Sequence, residues 1–99
     1  IHVNGRVDAT TAPQLENQLN TLLDGNHTRL IIDFNNVDYL SSAGMRVLLA
    51  MTKRVQGFEG GKIVLHSLHD DVMEIIKMAG FEQILKIAPG EKEAREYFK

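Results

Sequence analysis

The chain has 99 residues, 24% of them charged and 43% hydrophobic, with a formal net charge of −2 and no cysteine. That balance is ordinary for a globular protein. It leaves no basic footprint for nucleic acid, and it excludes disulfides, thiol catalysis and thiolate metal sites. One small domain over residues 1–99 is expected, able to bury roughly 60–70% of its unfolded surface. No apolar run nears the roughly 20 residues that span a bilayer, and no signal peptide is visible, which points to a protein that does not insert in membranes.

Ile1 to Val7 alternates weakly between apolar and polar residues and reads as a strand interrupted at Gly5. Thr11 and Gln14 have capping-box spacing, and Pro13 is tolerated in a first helical turn. Leu15, Leu19, Leu22 and Leu23 then form the apolar stripe of a helix that ends at Asp24-Gly25-Asn26. Leu30 to Phe34 is a short apolar run suited to a buried strand, and Asn35-Asn36 is turn chemistry. Val47, Leu48, Met51 and Val55 recur at helical spacing and predict a helix from about Ser42 to Gln56. After a break at Gly57 to Gly61, Ile63-Val64-Leu65 is a third apolar run. Val72, Ile75, Ile76 and Ala79 predict a third helix, stopped at Gly80-Phe81. Ile84 to Ile87 reads as a last short strand. Glu91 to Phe98 reads as a closing helix burying Ala94 and one or both of Tyr97 and Phe98. Strands and helices alternate, so the expected class is α/β, with a small, mostly parallel sheet packed with about four helices.

The chemistry concentrates where the second strand meets the second helix. Ser41 and Ser42 fall at that helix's N-terminus, where backbone N–H groups lack partners and the helix dipole favours negative charge. One reading makes one of them an N-cap. The other makes one of them a phosphate acceptor on a ready-made anion site. Nucleotide-binding glycine loops and the G-x-S-x-G nucleophile turn are absent, so no enzyme chemistry is expected. His66 and His69 beside Asp70 and Asp71 have a spacing that invites a metal, but the two aspartates serve the next helix's N-terminus more simply. His2 and His27 are expected at the surface. Asp33 is expected to end its strand and bond to loop amides, while Asp38 has no assigned role. A phosphoaspartate receiver would need an acidic pair after its first strand and a lysine on a late one, and neither is evident.

The stretch Leu30 to Phe34 followed by Val37-Asp38-Tyr39-Leu40-Ser41-Ser42-Ala43-Gly44-Met45-Arg46-Val47-Leu48-Leu49 resembles the signature of the STAS domain. More narrowly, it resembles that of the bacterial anti-sigma-factor antagonists. Gly5 to Ala12 matches the family's early Gly-x-x-Asp segment, and Met78-Ala79-Gly80-Phe81 its late helix stop. The resemblance implies a cytoplasmic interaction module in a partner-switching circuit that regulates transcription, without cofactor or catalytic residue. Its partner would be an anti-sigma factor with serine kinase activity. The unmodified antagonist binds that partner and releases a sigma factor, phosphorylation blocks binding, and a serine phosphatase resets it. Members usually read Asp-Ser-[Ser/Thr]-Gly. Ser41 takes the aspartate's place, Ser42 the acceptor's and Gly44 the glycine's, so Ser42 is the expected phosphorylation site. The family's first strand has no counterpart here, as in a chain trimmed at its N-terminus. Asp8, Asp38, Ser41, Ser42, Gly44, Met45 and Arg46 are the expected partner-binding set. Met45 is read either as part of that surface or as core. Arg46, one turn after Ser42, is expected in solvent, within reach of a phosphate there. The alternative function is a ligand- or nucleotide-sensing STAS subunit of a transporter or larger sensory assembly.

Overall fold

The computed structural model describes residues 2–98, so Ile1 of the first expected strand lies outside the described residues. In chain order the elements are β1 (His2–Val7), α1 (Ala12–Asp24), β2 (Arg29–Leu40), α2 (Ser42–Val55), β3 (Lys62–His66), α3 (Asp70–Met78), β4 (Lys86–Ala88) and α4 (Glu91–Glu96). The strands form one sheet in the order β1-β2-β3-β4, every neighbouring pair parallel.

Alternation along the strands separates two cores. Leu30, Ile32 and Phe34 of β2 and Ile63 and Leu65 of β3 turn to one face. There they meet Leu15, Leu19 and Leu23 of α1, Val47, Leu48, Met51 and Val55 of α2, and Val72 and Ile76 of α3. Ile31 and Val64 turn the other way and pack with Ala88, Ala94 and Phe98 under α4. Phe34, Ile32, Leu19 and Ile76 are fully shielded from water, each contributing about 1.5–3 kcal/mol relative to exposure.

The structure corrects several local expectations. Asn35-Asn36 is no turn, and Asp33 does not end a strand, because β2 runs on to Leu40. Between the pairs His2↔Asp33 and Asn4↔Asn36, β2 advances one residue more than β1, and it does so again between Gly5↔Val37 and Arg6↔Tyr39. The polar pair therefore sits in a bulge that the longer strand absorbs. Asp33 still bonds as expected, its Oδ1 accepting the Asn35 N–H at 2.8 Å. Asn36 Nδ2 donates across the ladder to Asn4 Oδ1 at 2.9 Å, and Gly5 takes the opposite irregularity with φ +83°.

Thr11 forms no capping box. Its hydroxyl donates to the Arg6 carbonyl and accepts the Asp8 N–H, so it ties down the loop before α1 instead of capping it. After α1 the left-handed conformation falls on Asn26, one of the two residues able to take it in the expected Asp24-Gly25-Asn26 stop. Ala79 is exposed at the end of α3, and Ile84 lies exposed before β4. Of the closing aromatics, Phe98 packs on the second core while Tyr97 stays 41% exposed.

Candidate functional site

The ends of β1 and β2 place the start of α2. The Val7 carbonyl accepts the Ser41 N–H at 2.8 Å, which fixes the residue before the helix against the last residue of β1. Ser41 is extended (φ −84°, ψ 171°), and its Oγ accepts the Gly44 N–H at 3.2 Å while its carbonyl takes the Met45 N–H. Ser41 is thus the N-cap, satisfying one of the amides a helix start leaves open.

Ser42 is the first helical residue and is exposed. Its hydroxyl makes no hydrogen bond among the described residues. No acidic residue occupies the first turn of α2, so the positive end of the helix dipole is uncompensated there. Arg46, one turn on and exposed, lies back along the helix with Nε 3.5 Å from the Ser42 carbonyl.

Gly44 and Met45 are both buried. A Cβ on Gly44 would stand 2.6 Å from Val7 Cγ1, 2.9 Å from Leu40 Cδ1 and 3.1 Å from the Val7 carbonyl oxygen. Glycine here allows the helix start to lie directly on the strand ends. Met45 is 5% exposed, so of its two expected roles burial favours packing. In this conformation it offers a partner almost no surface.

Asp8 opens the loop after β1, next to Val7. Its Oδ1 accepts the Thr10 hydroxyl at 2.6 Å, the Thr10 N–H at 2.9 Å and the Thr11 N–H at 3.2 Å. The Thr10 hydroxyl leads these bonds in holding the carboxyl below its ordinary range, at about 2. Arg6 adds a 3.6 Å contact to Oδ2 and lies 4.3 Å over the Tyr39 ring. Arg6, Tyr39 and Thr10 were not singled out by sequence reasoning, and Thr11 was expected only as a helix cap. The Arg-x-Asp spacing at the strand end was the available signal for Arg6, whereas Tyr39 meets it only through the bulged register.

Asp38 lies between the paired residues Val37 and Tyr39 in the second bulge of β2. It is exposed and has no ion pair among the described residues. The structure therefore brings Asp8, Ser41 and Ser42 to one end of the sheet, with Gly44 and Met45 packed beneath and Arg46 and Asp38 in solvent.

The histidines go elsewhere. His66 is buried with Nδ1 2.8 Å from Ser67 Oγ, and His69 stands at the N-cap position of α3 without a side-chain cap bond, its Nε2 on the Asn35 carbonyl instead. His2 is at the surface as expected, but it pairs with Asp33 at 3.0 Å. Among the described residues no group of three His, Asp or Glu is placed to hold a metal, and no helix is long and apolar enough to cross a membrane.

The family model of the STAS domain matches residues 1–94. The chain belongs to the STAS-domain family. This STAS domain is 34% identical over 97 residues to BtrV of Bordetella bronchiseptica, described as a candidate anti-sigma factor antagonist, covering 98% of this chain and 83% of BtrV. Its fold matches the crystal structure of an anti-sigma factor antagonist from Mycobacterium paratuberculosis with TM-score 0.86 at 22% identity, covering 96% of this chain and 80% of that one. It also matches the Bacillus cell-fate determinant SpoIIAA in its phosphorylated form, with TM-score 0.70 at 18% identity, covering 99% and 87%. The expected α/β STAS fold is the observed one.

Proposed function

We propose that this STAS domain is a phosphorylation-switched antagonist of an anti-sigma factor, acting in the cytoplasm by binding and not by catalysis. Unmodified, it binds an anti-sigma factor with serine kinase activity and releases a sigma factor. That kinase phosphorylates Ser42 and ends the complex, and a serine phosphatase restores the hydroxyl. The observation that carries the reading is the division of labour between the two serines: Ser41 spends its hydroxyl on the cap, and Ser42 offers a free one at the helix start. Kinship with BtrV supports the class of partner, and SpoIIAA, of like fold, has been solved phosphorylated.

The energetics agree with a binding switch. A phosphate adds about −1.5 to −2 charges near neutral pH, and a helix N-terminus stabilises an anion by about 0.3–2 kcal/mol. The fold therefore tolerates the modification. Burying the same charge unpaired in an interface costs several kcal/mol, and about 4 kcal/mol is nearly a thousandfold in affinity. Loss of binding outweighs any effect on folding.

The test uses the anti-sigma kinase isolated as this chain's binding partner, with ATP and phosphopeptide mapping. Label on Ser42, none on Ser42→Ala, and a phosphorylated form that melts normally but no longer binds are expected. Full labelling of Ser42→Ala, or unchanged affinity after modification, would refute the proposal.

A further inference from the structure

β4 closes the sheet on the side away from β1, and its outer edge has no neighbouring strand among the described residues. Two hollows share Ile87, Ala88 and Pro89 at that edge. One, of about 280 Å³, is completed by Leu68 and Met73 on the α3 side. The other, of about 360 Å³, is completed by Glu93, Glu96 and Tyr97 on the α4 side. Since α3 and α4 pack on opposite faces of the sheet, the hollows flank the same edge from both faces. A strand laid along it sends successive side chains to alternate faces, so neighbouring residues of one segment reach both hollows.

The two hollows differ in chemistry. Leu68 and Met73 present aliphatic and thioether surface. On the other side Glu93 and Glu96 are exposed and make no ion pair among the described residues, whereas Glu91 pairs with Arg95 at 3.3 Å. Lys86, the cation of β4, lines a separate hollow with Thr52, Val55 and Gln56, and no ion pair joins it to these carboxylates among the described residues. Tyr97 adds a partly exposed ring.

We infer that the β4 edge docks an extended segment of a partner protein in which apolar residues alternate with arginine or lysine. The apolar residues seat against Leu68 and Met73, and the cations meet Glu93 and Glu96, where arginine also lies over the Tyr97 ring. β4 has only three residues and is followed by Pro89, which lacks an N–H. Few ladder bonds form, the contact is transient, and side-chain chemistry sets the selection. This surface is separate from the Ser42 end and does not depend on the phosphorylation switch.

The experiment is a titration of the 15N-labelled chain with the peptide acetyl-(Val-Arg)3-amide and, separately, with acetyl-(Val-Glu)3-amide. Amide shifts centred on Leu68, Ile87, Ala88 and Tyr97 are expected with the arginine peptide, at an affinity at least tenfold above that of the glutamate peptide. The exposed double variant Glu93→Lys/Glu96→Lys should keep the parent spectrum elsewhere and reverse the preference. Absence of shifts at β4, shifts centred on another surface, or equal affinity for both peptides would overturn the inference. Concentration-dependent shifts at β4 without peptide would overturn it in favour of a second copy as occupant.

Discussion

Gly44→Ala is the sharpest test of how α2 is seated. The added methyl would lie 2.6 Å from Val7 Cγ1 and 2.9 Å from Leu40 Cδ1, and both neighbours are buried with no water to yield into. The third contact, 3.1 Å to the Val7 carbonyl oxygen, is backbone within a parallel ladder and also accepts the Ser41 N–H. Relief requires lifting the first turn of α2, which strains that bond and the cap above it. Overpacking of this kind costs about 1–3 kcal/mol, while replacing glycine within a helix returns at most about 1 kcal/mol. The net is a loss of about 1–2 kcal/mol. At about 4–8 °C per kcal/mol for a domain of this size, that lowers the melting temperature by about 5–15 °C. Gly57→Ala is the matched control: its Cβ meets only the Arg54 carbonyl oxygen at 3.4 Å, so a change within about 0.5 kcal/mol is expected. Thermal and urea unfolding by circular dichroism measure both. A Gly44→Ala protein as stable as the parent, or equal to Gly57→Ala, would show that the close approach does not constrain the helix start.

Ser41→Ala removes the cap acceptor and should cost about 1 kcal/mol, whereas Ser42→Ala, which breaks no bond, should stay within about 0.5 kcal/mol in the same melts; equal losses would contradict the assignment of the cap. Asp8 should titrate at about 2 instead of its ordinary 3.8 in a carbon-detected NMR titration, and Thr10→Ala should move that midpoint back up. Because the folded value is the depressed one, the stabilisation is present above about pH 4 and lost as pH falls towards 2; a midpoint indifferent to Thr10 would show that its hydroxyl does not hold the carboxylate.

What was legible in the sequence was whatever depends on periodicity. The leucines of α1 and the Val47, Leu48, Met51, Val55 stripe bury themselves as their spacing requires, since a one-sided helix has only one way to face a sheet. The run Leu30 to Phe34 gave the core of β2, but not its length. Asn35-Asn36 carries a turn signal that is local, and it was overruled by pairing with β1, a contact between residues more than thirty apart in the chain. Bulges reconcile the two: the asparagines keep an irregular backbone without ending the strand. Thr11 failed as a cap for a related reason, because Arg6 and Asp8 offer its hydroxyl partners across the preceding loop that sequence spacing does not reveal.

The site was legible as a location, and the roles of its two serines needed coordinates. At the N-cap position serine and aspartate serve about equally well as acceptors. Ser41 standing where the family usually has aspartate therefore keeps the helix start intact, and the Gly44 N–H still finds its oxygen. What the exchange removes is a negative charge adjacent to Ser42, the proposed acceptor. With no acidic residue in the first turn of α2, a phosphate on Ser42 would meet the helix dipole and neighbouring amides without a carboxylate in its own helical turn. A phosphate on Ser41 would instead displace the cap and force its charge into the half-buried seat against Val7. The fold thus gives adjacent hydroxyls different surroundings: Ser41 holds the helix down, and Ser42, exposed at the helix start, is the one that the proposed switch would charge.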